Sequence, residues 1–186
     1  IALSKKRASS TPLTYGSVGV GSLYHLISDR LSQTLNANLV HVPYRGTTNV
    51  MQDLAGGQID FAIQAFSKNM KDMEKEGRYK IIAVLSKEKP EILQEYPILS
   101  DAKGFEDFNY FTGSSYLVKK DTPEHIVEKL NKAISAAVQE PEVRNALGAD
   151  GRVVANPMTP AQANDFYQAE IRQTEDVIKQ TGFKGN

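Results

Sequence analysis

The apolar residues of this chain follow two alternating patterns, short strand-like runs and longer stretches with helical spacing. Four runs rich in Val, Ile, Leu, Phe and Tyr predict strands, at residues 12–17, 38–44, 58–66 and 80–86. The stretches between them predict helices, at residues 23–35, 46–57 and 66–77. Strands that alternate with helices are typical of a parallel sheet covered by helices. The first half of the sequence therefore predicts an α/β fold.

The second half of the chain has more helical than strand-like sequence. Residues 87–108 are polar and spaced by prolines, which predicts a surface loop with at most one short helix, at a domain boundary. Strands are predicted at residues 109–120 and 152–155, and helices at residues 121–139, 140–150 and 159–180. The first of these helices carries an apolar stripe typical of a buried face, formed by Ile126, Val127, Leu130, Ile134 and Val138. The predicted strands of the second half are thus too few to form a sheet against which its helices could pack.

Three glycines and two serines lie within residues 16–22, between the first predicted strand and the first predicted helix. Their order does not match the dinucleotide-binding G-x-G-x-x-G loop, and no lysine follows to make a P-loop. A helix N-terminus still presents free N–H groups and a partial positive charge, which suit an anion. Glycines allow close approach, and Ser17 and Ser22 add hydroxyl donors. The loop therefore predicts either a phosphate or carboxylate site or a tight turn without a ligand.

A second donor-rich loop, PYRGTT at residues 43–48, follows the second predicted strand. Ligands of open α/β sheets bind at the carboxyl ends of the strands, so the two loops predict one anionic site, bordered by Gln64. Arg45 is interpreted either as a carboxylate clamp or as a solvated side chain. The candidate ligand-binding residues are Ser17, Val18, Gly19, Gly21, Ser22, His25, Tyr44, Gly46, Thr47 and Gln64.

The three histidines bear on whether the site is catalytic or binds a metal. His25 lies one turn into the first helix, where it either contacts a ligand or packs through hydrogen bonds. If His25 acted as the base for a nucleophilic Ser17 or Ser22, that serine would be expected in a G-x-S-x-G nucleophile elbow. Neither serine lies in one. His41 lies in a strand and His125 on a distant helix, so no pair has metal-ligand spacing. The sequence predicts neither a metal site nor a cofactor.

Composition excludes several further classes of protein. Lys plus Arg equals Asp plus Glu at 22 each, which leaves no basic field for a nucleic acid. The absence of cysteine excludes thiolate metal sites, thiol nucleophiles and disulfides. The longest apolar runs are far shorter than the roughly 20 residues of a transmembrane helix, so the chain is not predicted to be membrane-embedded.

Four segments resemble one family, the extracytoplasmic solute-binding proteins of the tripartite tricarboxylate transporters, also called Bug proteins. They are LTYGSVGVGSLYHL, LVHVPYRGTTNVMQDLAGGQIDFAI, DTPEHIVEKLNKAISAAVQEPEVRNAL and TPAQANDFYQAEIRQTEDVIKQTGFK. The segments occur in the family's order and at its spacing, and the resemblance covers essentially the whole chain.

The resemblance implies a periplasmic receptor, not an enzyme, with two α/β lobes of the type II periplasmic-binding-protein kind. These lobes would close on a small organic carboxylate and deliver it to membrane permease subunits. Residues 1–110 would form the second lobe, 111–121 a crossover strand between lobes, and 122–186 the C-terminal helical part of the first lobe. In the family a glycine-serine loop of the second lobe grips the carboxylate, and that loop corresponds to Ser17–Ser22.

The start of the chain, with Ile1 and a polar stretch to residue 10, predicts a fragment or a processed product whose signal peptide would lie upstream. The N-terminal part of the family's first lobe is absent, so one wall of the cleft would be missing. We therefore expect weak ligand binding by these 186 residues. We also expect the stripe around Ile126, Leu130 and Ile134 to be exposed and to favour self-association.

Two other functions are compatible with the residues. One is the effector domain of a transcription regulator, which would follow a DNA-binding helical domain. The other is a small serine hydrolase using Ser17 or Ser22. Within the receptor interpretation, citrate, other di- or tricarboxylates, amino-acid-like acids and aromatic carboxylates all fit a loop that recognises mainly the carboxylate.

Overall fold

A computed structural model describes residues 12–185 of the chain. The strands are β1 (Leu13–Ser17), β2 (Leu39–Pro43) and β3 (Phe61–Ala62). The helices are α1 (Leu23–Leu35), α2 (Thr47–Ala55), α3 (Lys68–Lys75), α4 (Glu124–Gln139), α5 (Pro141–Ala149) and α6 (Pro160–Thr181). Two short 3-10 helices are Glu91–Leu93 and Leu99–Asp101. The N-terminal polar stretch at residues 1–10 lies outside the described residues.

The three strands form one parallel sheet in the order β2-β1-β3. β1 is central and pairs with β2 along its whole length, which places Tyr15 beside His41. On its other side Tyr15 pairs with Phe61 of β3. The parallel sheet and its connecting helices confirm the predicted α/β class. The strand predicted at 58–66 exists, but its ladder is only two residues long.

The chain divides into two compact units. Of the described residues, the first unit contains 12–65, 72–80 and 173–185, and the second contains Phe66–Lys71 and Ile81–Arg172. The sheet, α1 and α2 belong to the first unit. Residues 87–108 lie inside the second unit, and the predicted division into lobes at residues 110 and 122 stays a prediction.

Helix α1 shows why the first unit folds locally as the sequence predicts. The Ser22 side chain accepts the backbone N–H of His25 at 3.3 Å, the bond that defines an N-cap. The helix ends at Asn36, whose backbone is in the left-handed region with φ of 47°. In this conformation its N–H donates to the carbonyl oxygens of Ser32 and Gln33 in the last turn. Between these ends, Leu26 and Ile27 are buried, each contributing about 1.5–3 kcal/mol of transfer free energy.

Gly16 in β1 shows how tightly the core of the first unit packs. A Cβ atom at this position would lie 2.6 Å from Cδ1 of Ile59 and 3.0 Å from Cγ1 of Val50, both of which are buried. It would also lie 3.1 Å from the ring of Tyr44. The absence of a side chain at Gly16 therefore lets α2 and the segment before β3 approach the central strand.

Three predicted strands, at 80–86, 109–120 and 152–155, are not strands in the structure. Residues 80–86 form a single parallel bridge, between Val84 and Ile98, and Ile82 is 78% exposed. These segments have the β-branched and aromatic residues that strands favour, but the propensity does not supply a neighbouring strand to pair with. The predicted crossover strand at 111–121 was therefore wrong as secondary structure.

Residues 87–108 were predicted to be a surface loop. The prediction of a surface position was wrong for the apolar side chains of this segment. Leu93, Tyr96, Phe105 and Phe108 are buried in the second unit. The rings of Phe105 and Phe108 pack edge to face with centroids 5.3 Å apart. The segment builds a core with irregular backbone and two single 3-10 turns, because its prolines prevent regular helices.

Helix α4 has no buried residue. Ile126 is 37% exposed and Leu130 is 42% exposed. The buried face predicted from helical spacing alone was therefore wrong. The exposed stripe expected from the family resemblance is confirmed at Ile126 and Leu130 but not at Ile134, which is half-buried.

Candidate functional site

The loops that follow the three strands meet at the carboxyl edge of the sheet, within the first unit. The backbone N–H of Tyr44, after β2, donates to the carbonyl oxygen of Ser17, at the end of β1, at 2.8 Å. The hydroxyl of Thr47, at the start of α2, lies 3.3 Å from Oε1 of Gln64, after β3. The prediction that these loops share one edge is confirmed, and that edge also carries the N-termini of α1 and α2.

The loop at residues 17–22 depends on two glycines with positive φ, Gly19 at 133° and Gly21 at 78°. Other residues would be strained in these conformations. The turn is closed by the backbone N–H of Ser22, which donates to the carbonyl oxygen of Gly19 at 3.2 Å. Within residues 12–185, the backbone N–H groups of Val18 and Val20 have no acceptor. The loop thus presents unused donors next to the N-terminus of α1.

Ser17 is fully buried, and its hydroxyl group bonds inside the protein. Its Oγ lies 2.7 Å from Nε2 of His41 and 3.0 Å from the carbonyl oxygen of Gly19. It also accepts the backbone N–H of Gly19 at 3.2 Å. A buried, bonded hydroxyl cannot reach a substrate carbonyl, which argues against Ser17 as a nucleophile. Its contribution to ligand binding, still a prediction, would come through the shape of the loop.

His25 is buried behind the loop, and both of its ring nitrogens have partners. Nδ1 accepts the backbone N–H of Gly21 at 3.1 Å, and Nε2 lies 3.3 Å from Oδ2 of Asp29. The ring stacks on His41 with centroids 4.0 Å apart and meets the edge of Phe183 at 5.5 Å. The geometry favours the packing interpretation of His25, and direct ligand contact stays a prediction.

Burial and neighbouring charges shift three pKa values around the site. Burial lowers the pKa of His41, and the nearby His25 lowers it further, although Asp29 acts in the opposite direction. Burial, together with the hydrogen bond to Asp29, raises the pKa of Tyr15 well above its usual range. Burial and the hydrogen bond to Asp53 raise the pKa of Tyr44 to about 12. Tyr15, Tyr44 and His41 are therefore neutral at physiological pH.

The remaining candidates differ in how they face the site. The Tyr44 hydroxyl donates to Oδ2 of Asp53 at 2.7 Å, so it is already engaged. Around Gly46 there is open space, because no atom lies within 4 Å of the position of a Cβ. Nε2 of Gln64 is buried and has no hydrogen-bond partner among the described residues. A buried amide group without a partner is uncommon and calls for an explanation.

Other kinds of site receive no support from the described part of the chain. Within it, no group of three or more His, Asp or Glu side chains is placed to hold a metal ion. No helix between residues 12 and 185 has the length and apolar character needed to cross a membrane. Arg45 is exposed.

Sequence reasoning missed Tyr15, Asp29, His41 and Phe183 as parts of this region. The signal for three of them was present. Tyr15 and Ser17 are two residues apart and so share one face of β1, and His41 lies in the neighbouring strand. Asp29 follows His25 by four residues and so lies on the same face of α1. No local pattern could have placed Phe183 beside the glycine loop, because Phe183 lies more than 150 positions after Ser22 in the sequence.

A parallel sheet with a glycine loop and two helix N-termini at its carboxyl edge is the arrangement with which α/β proteins bind small anionic ligands. Residues 3–183 match the family described as the tripartite tricarboxylate transporter family receptor. The chain belongs to this family. The resemblance predicted from the sequence is confirmed, and the family is one of receptors, as predicted.

Two curated relatives cover nearly the whole chain. The chain is 33% identical over 184 residues to a UPF0065 protein of Agrobacterium vitis from the TAR-I ttuE-ttuC' intergenic region, covering 98% of this chain and 52% of the relative. It is 29% identical over 184 residues to a UPF0065 protein of Pseudomonas sp. (strain P51) from the tcbD-tcbE intergenic region. That match covers 99% of this chain and 54% of the relative. The chain thus spans about half the length of the curated relatives it matches.

Two solved structures show the same fold. The periplasmic binding protein BugD is 22% identical, with a TM-score of 0.77 over 99% of this chain and 62% of that one. MatC (Rpa3494) from Rhodopseudomonas palustris, with bound malate, is 25% identical, with a TM-score of 0.69 over 95% of this chain and 60% of that one. These likenesses confirm the predicted periplasmic-binding-protein-like fold.

Proposed function

We propose that this chain is part of a periplasmic receptor that binds a small organic carboxylate for a tripartite tricarboxylate-type transporter, with the transporter's membrane permease subunits as partners. The observation that carries the proposal is the convergence of three sets of donors at one sheet edge: the loop at 17–22, the start of α2 and the amide of Gln64. Membership of a receptor family supports binding over catalysis.

The donors at the edge suit an anion better than a neutral ligand. In the part of the chain that the structure describes, the backbone N–H groups of Val18 and Val20 have no acceptor, and the first N–H groups of α1 and α2 have none within their helices. A helix terminus at an exposed surface contributes about 0.3–1 kcal/mol toward holding an anion. Micromolar affinity corresponds to about 8 kcal/mol. The helix termini alone therefore fall far short of micromolar affinity, and we propose that the loop N–H groups and Gln64 add hydrogen bonds to the carboxylate.

The ligand class is proposed from two similar proteins. MatC was solved with malate, and Rpa4515 from R. palustris, 23% identical with a TM-score of 0.74, was solved with adipate. Both ligands are aliphatic dicarboxylates. We propose a ligand with at least one carboxylate on a short aliphatic chain, held at the sheet edge through that carboxylate.

An NMR titration of the isotope-labelled chain tests the proposal even when binding is weak. Malate and adipate are added at constant pH and ionic strength, with the uncharged diamide of malate as the matched control. We expect shifts in the backbone amides of residues 18–23 and 46–48 and in the side-chain amide of Gln64, and none with the diamide. Shifts confined to other residues, or equal shifts with the diamide, would overturn the proposed site.

A further inference from the structure

A series of hydrogen bonds behind the candidate site ends at the backbone of its glycine loop. The Tyr15 hydroxyl donates to Oδ1 of Asp29 at 2.5 Å. The other carboxylate oxygen of Asp29 lies 3.3 Å from Nε2 of His25, and Nδ1 of His25 accepts the N–H of Gly21 at 3.1 Å. Tyr15 and His25 are buried, whereas the Asp29 side chain is 35% exposed. Three side chains thus connect the central strand to the loop.

We propose that Asp29 is a positioning residue of the ligand site. It holds the His25 ring in one tautomer and one orientation, and the ring in turn fixes the N–H of Gly21. The direction of that bond determines how the loop presents its remaining N–H groups to a ligand. The inference rests on the proposed function and adds a residue that contacts no ligand.

The directions of the bonds follow from the chemistry of the groups. A backbone N–H can only donate, so Nδ1 of His25 must carry a lone pair, and the single proton of a neutral ring is on Nε2. An ionised carboxylate can only accept, so Asp29 matches both the Nε2 proton and the Tyr15 hydroxyl. Burial keeps Tyr15 protonated and therefore a donor. Only one placement of the protons pairs every donor in the series with an acceptor.

The ring of His25 has little freedom to compensate for the loss of Asp29. One face of it stacks on His41 with centroids 4.0 Å apart. The edge-to-face contact with Phe183 limits it on another side, and Phe183 also lies 3.4 Å from the position of a Cβ at Gly21. A change in the hydrogen bond to Nε2 is therefore passed to Gly21 instead of being absorbed by ring rotation.

The test replaces Asp29 by Asn, which keeps its shape but adds donors. Asp60→Asn is the matched control, since Asp60 accepts the N–H of Thr14 at 2.9 Å at the opposite end of β1. The readouts are the ring ¹⁵N signals of His25, which report its tautomer, and the amide shift and hydrogen exchange of Gly21. We expect D29N to populate the other tautomer and to speed Gly21 exchange, and D60N to leave both unchanged. Wild-type signals in D29N would overturn the inference.

Affinity for malate, measured by NMR titration on the same proteins, separates the inference from the proposed function. We expect D29N to bind malate at least about tenfold more weakly, the effect of partners that fix a histidine tautomer at metal sites. Changed His25 and Gly21 signals with unchanged malate affinity would overturn the positioning role. A wild-type chain that does not bind malate or adipate would overturn the proposed ligand class, and the NMR signals would still decide whether Asp29 fixes the loop.

Discussion

The hydroxyl oxygen of Ser17 lies 2.7 Å from Nε2 of His41, across the boundary between strands β1 and β2. The same oxygen accepts the N–H of Gly19 in the loop. One buried hydroxyl therefore joins the neighbouring strand to the loop that follows its own strand. The pair stabilises the edge at which the candidate site lies, with the Ser17 hydroxyl buried and the His41 side chain half-buried.

Replacing Ser17 by Ala should destabilise the chain by about 1–3 kcal/mol, because Nε2 of the half-buried His41 and the N–H of Gly19 would lose their partner. The control is Thr34→Ala, on the exposed side of α1, where we expect a change within about 0.5 kcal/mol. Urea unfolding followed by circular dichroism measures both. Equal stabilities of the two variants would show that the Ser17 bonds are not formed.

The free energy of unfolding should fall as the pH decreases below about 6.5. Burial and the neighbouring His25 lower the pKa of His41 in the folded state. The unfolded chain then binds the proton at higher pH than the folded chain, so stability is complete above the unfolded pKa of about 6.5 and decreases toward the folded one. Urea titrations at pH 8, 6 and 5 should show a steeper decrease in the wild type than in His41→Gln. Parallel decreases would contradict this account.

Replacing Gln64 by Ala should weaken malate binding by no more than a few kcal/mol, because it removes one buried amide donor that has no internal partner. Gln58→Ala is the control, since Gln58 is exposed and precedes β3 instead of following it. NMR titration with malate measures the affinity of each. An unchanged affinity in Gln64→Ala would remove Gln64 from the site.

Replacing Gly46 by Ala should lower malate affinity while changing stability by less than about 0.5 kcal/mol. Its backbone is extended, with φ of 172°, and space is open around it, so the methyl group enters only the region in front of α2. Gly57→Ala should behave in the opposite way. Its φ of 72° makes alanine unfavourable by about 1–2 kcal/mol, at the far end of α2 from the proposed ligand. If Gly57→Ala changed affinity more than Gly46→Ala, the site would be misplaced.

Self-association should decrease when Ile126 and Leu130 are both replaced by Gln. The two side chains are exposed on α4, where an apolar stripe favours contact with other chains. Sedimentation over a range of protein concentrations measures the effect, with Lys129→Gln on the same helix as the control. A wild-type chain that stays monomeric at high concentration would contradict the expectation.

The helices could be predicted from the sequence because their signals are local. Ser22 at the start of α1 and the proline that begins α5 are signals carried by the local sequence, and the six helices within residues 12–185 lie where they were predicted. The strand at 80–86 was wrong because a strand needs a partner that local sequence does not identify. Among the described residues, Val84 forms a single bridge, to Ile98.

The candidate site was predictable only in outline. The rule that parallel strands end at one edge placed the loops after β1 and β2 together correctly. The bonds behind the loop could not be predicted, because the meeting of Asp29 with Tyr15 depends on how α1 packs on β1. The position of the Phe183 ring, 3.4 Å from where a Cβ at Gly21 would lie, depends on the return of the chain after α6.

The close packing at Gly16 predicts a pattern of paired replacements among relatives of this chain. A side chain there would collide first with the flexible tip of Ile59, at 2.6 Å, and next with Val50. A relative with alanine at this position should therefore carry a shorter side chain, such as valine, in place of Ile59. Alanine there beside an unchanged isoleucine would indicate that α2 and the central strand have moved apart in that relative, which would also separate the two loops at the sheet edge.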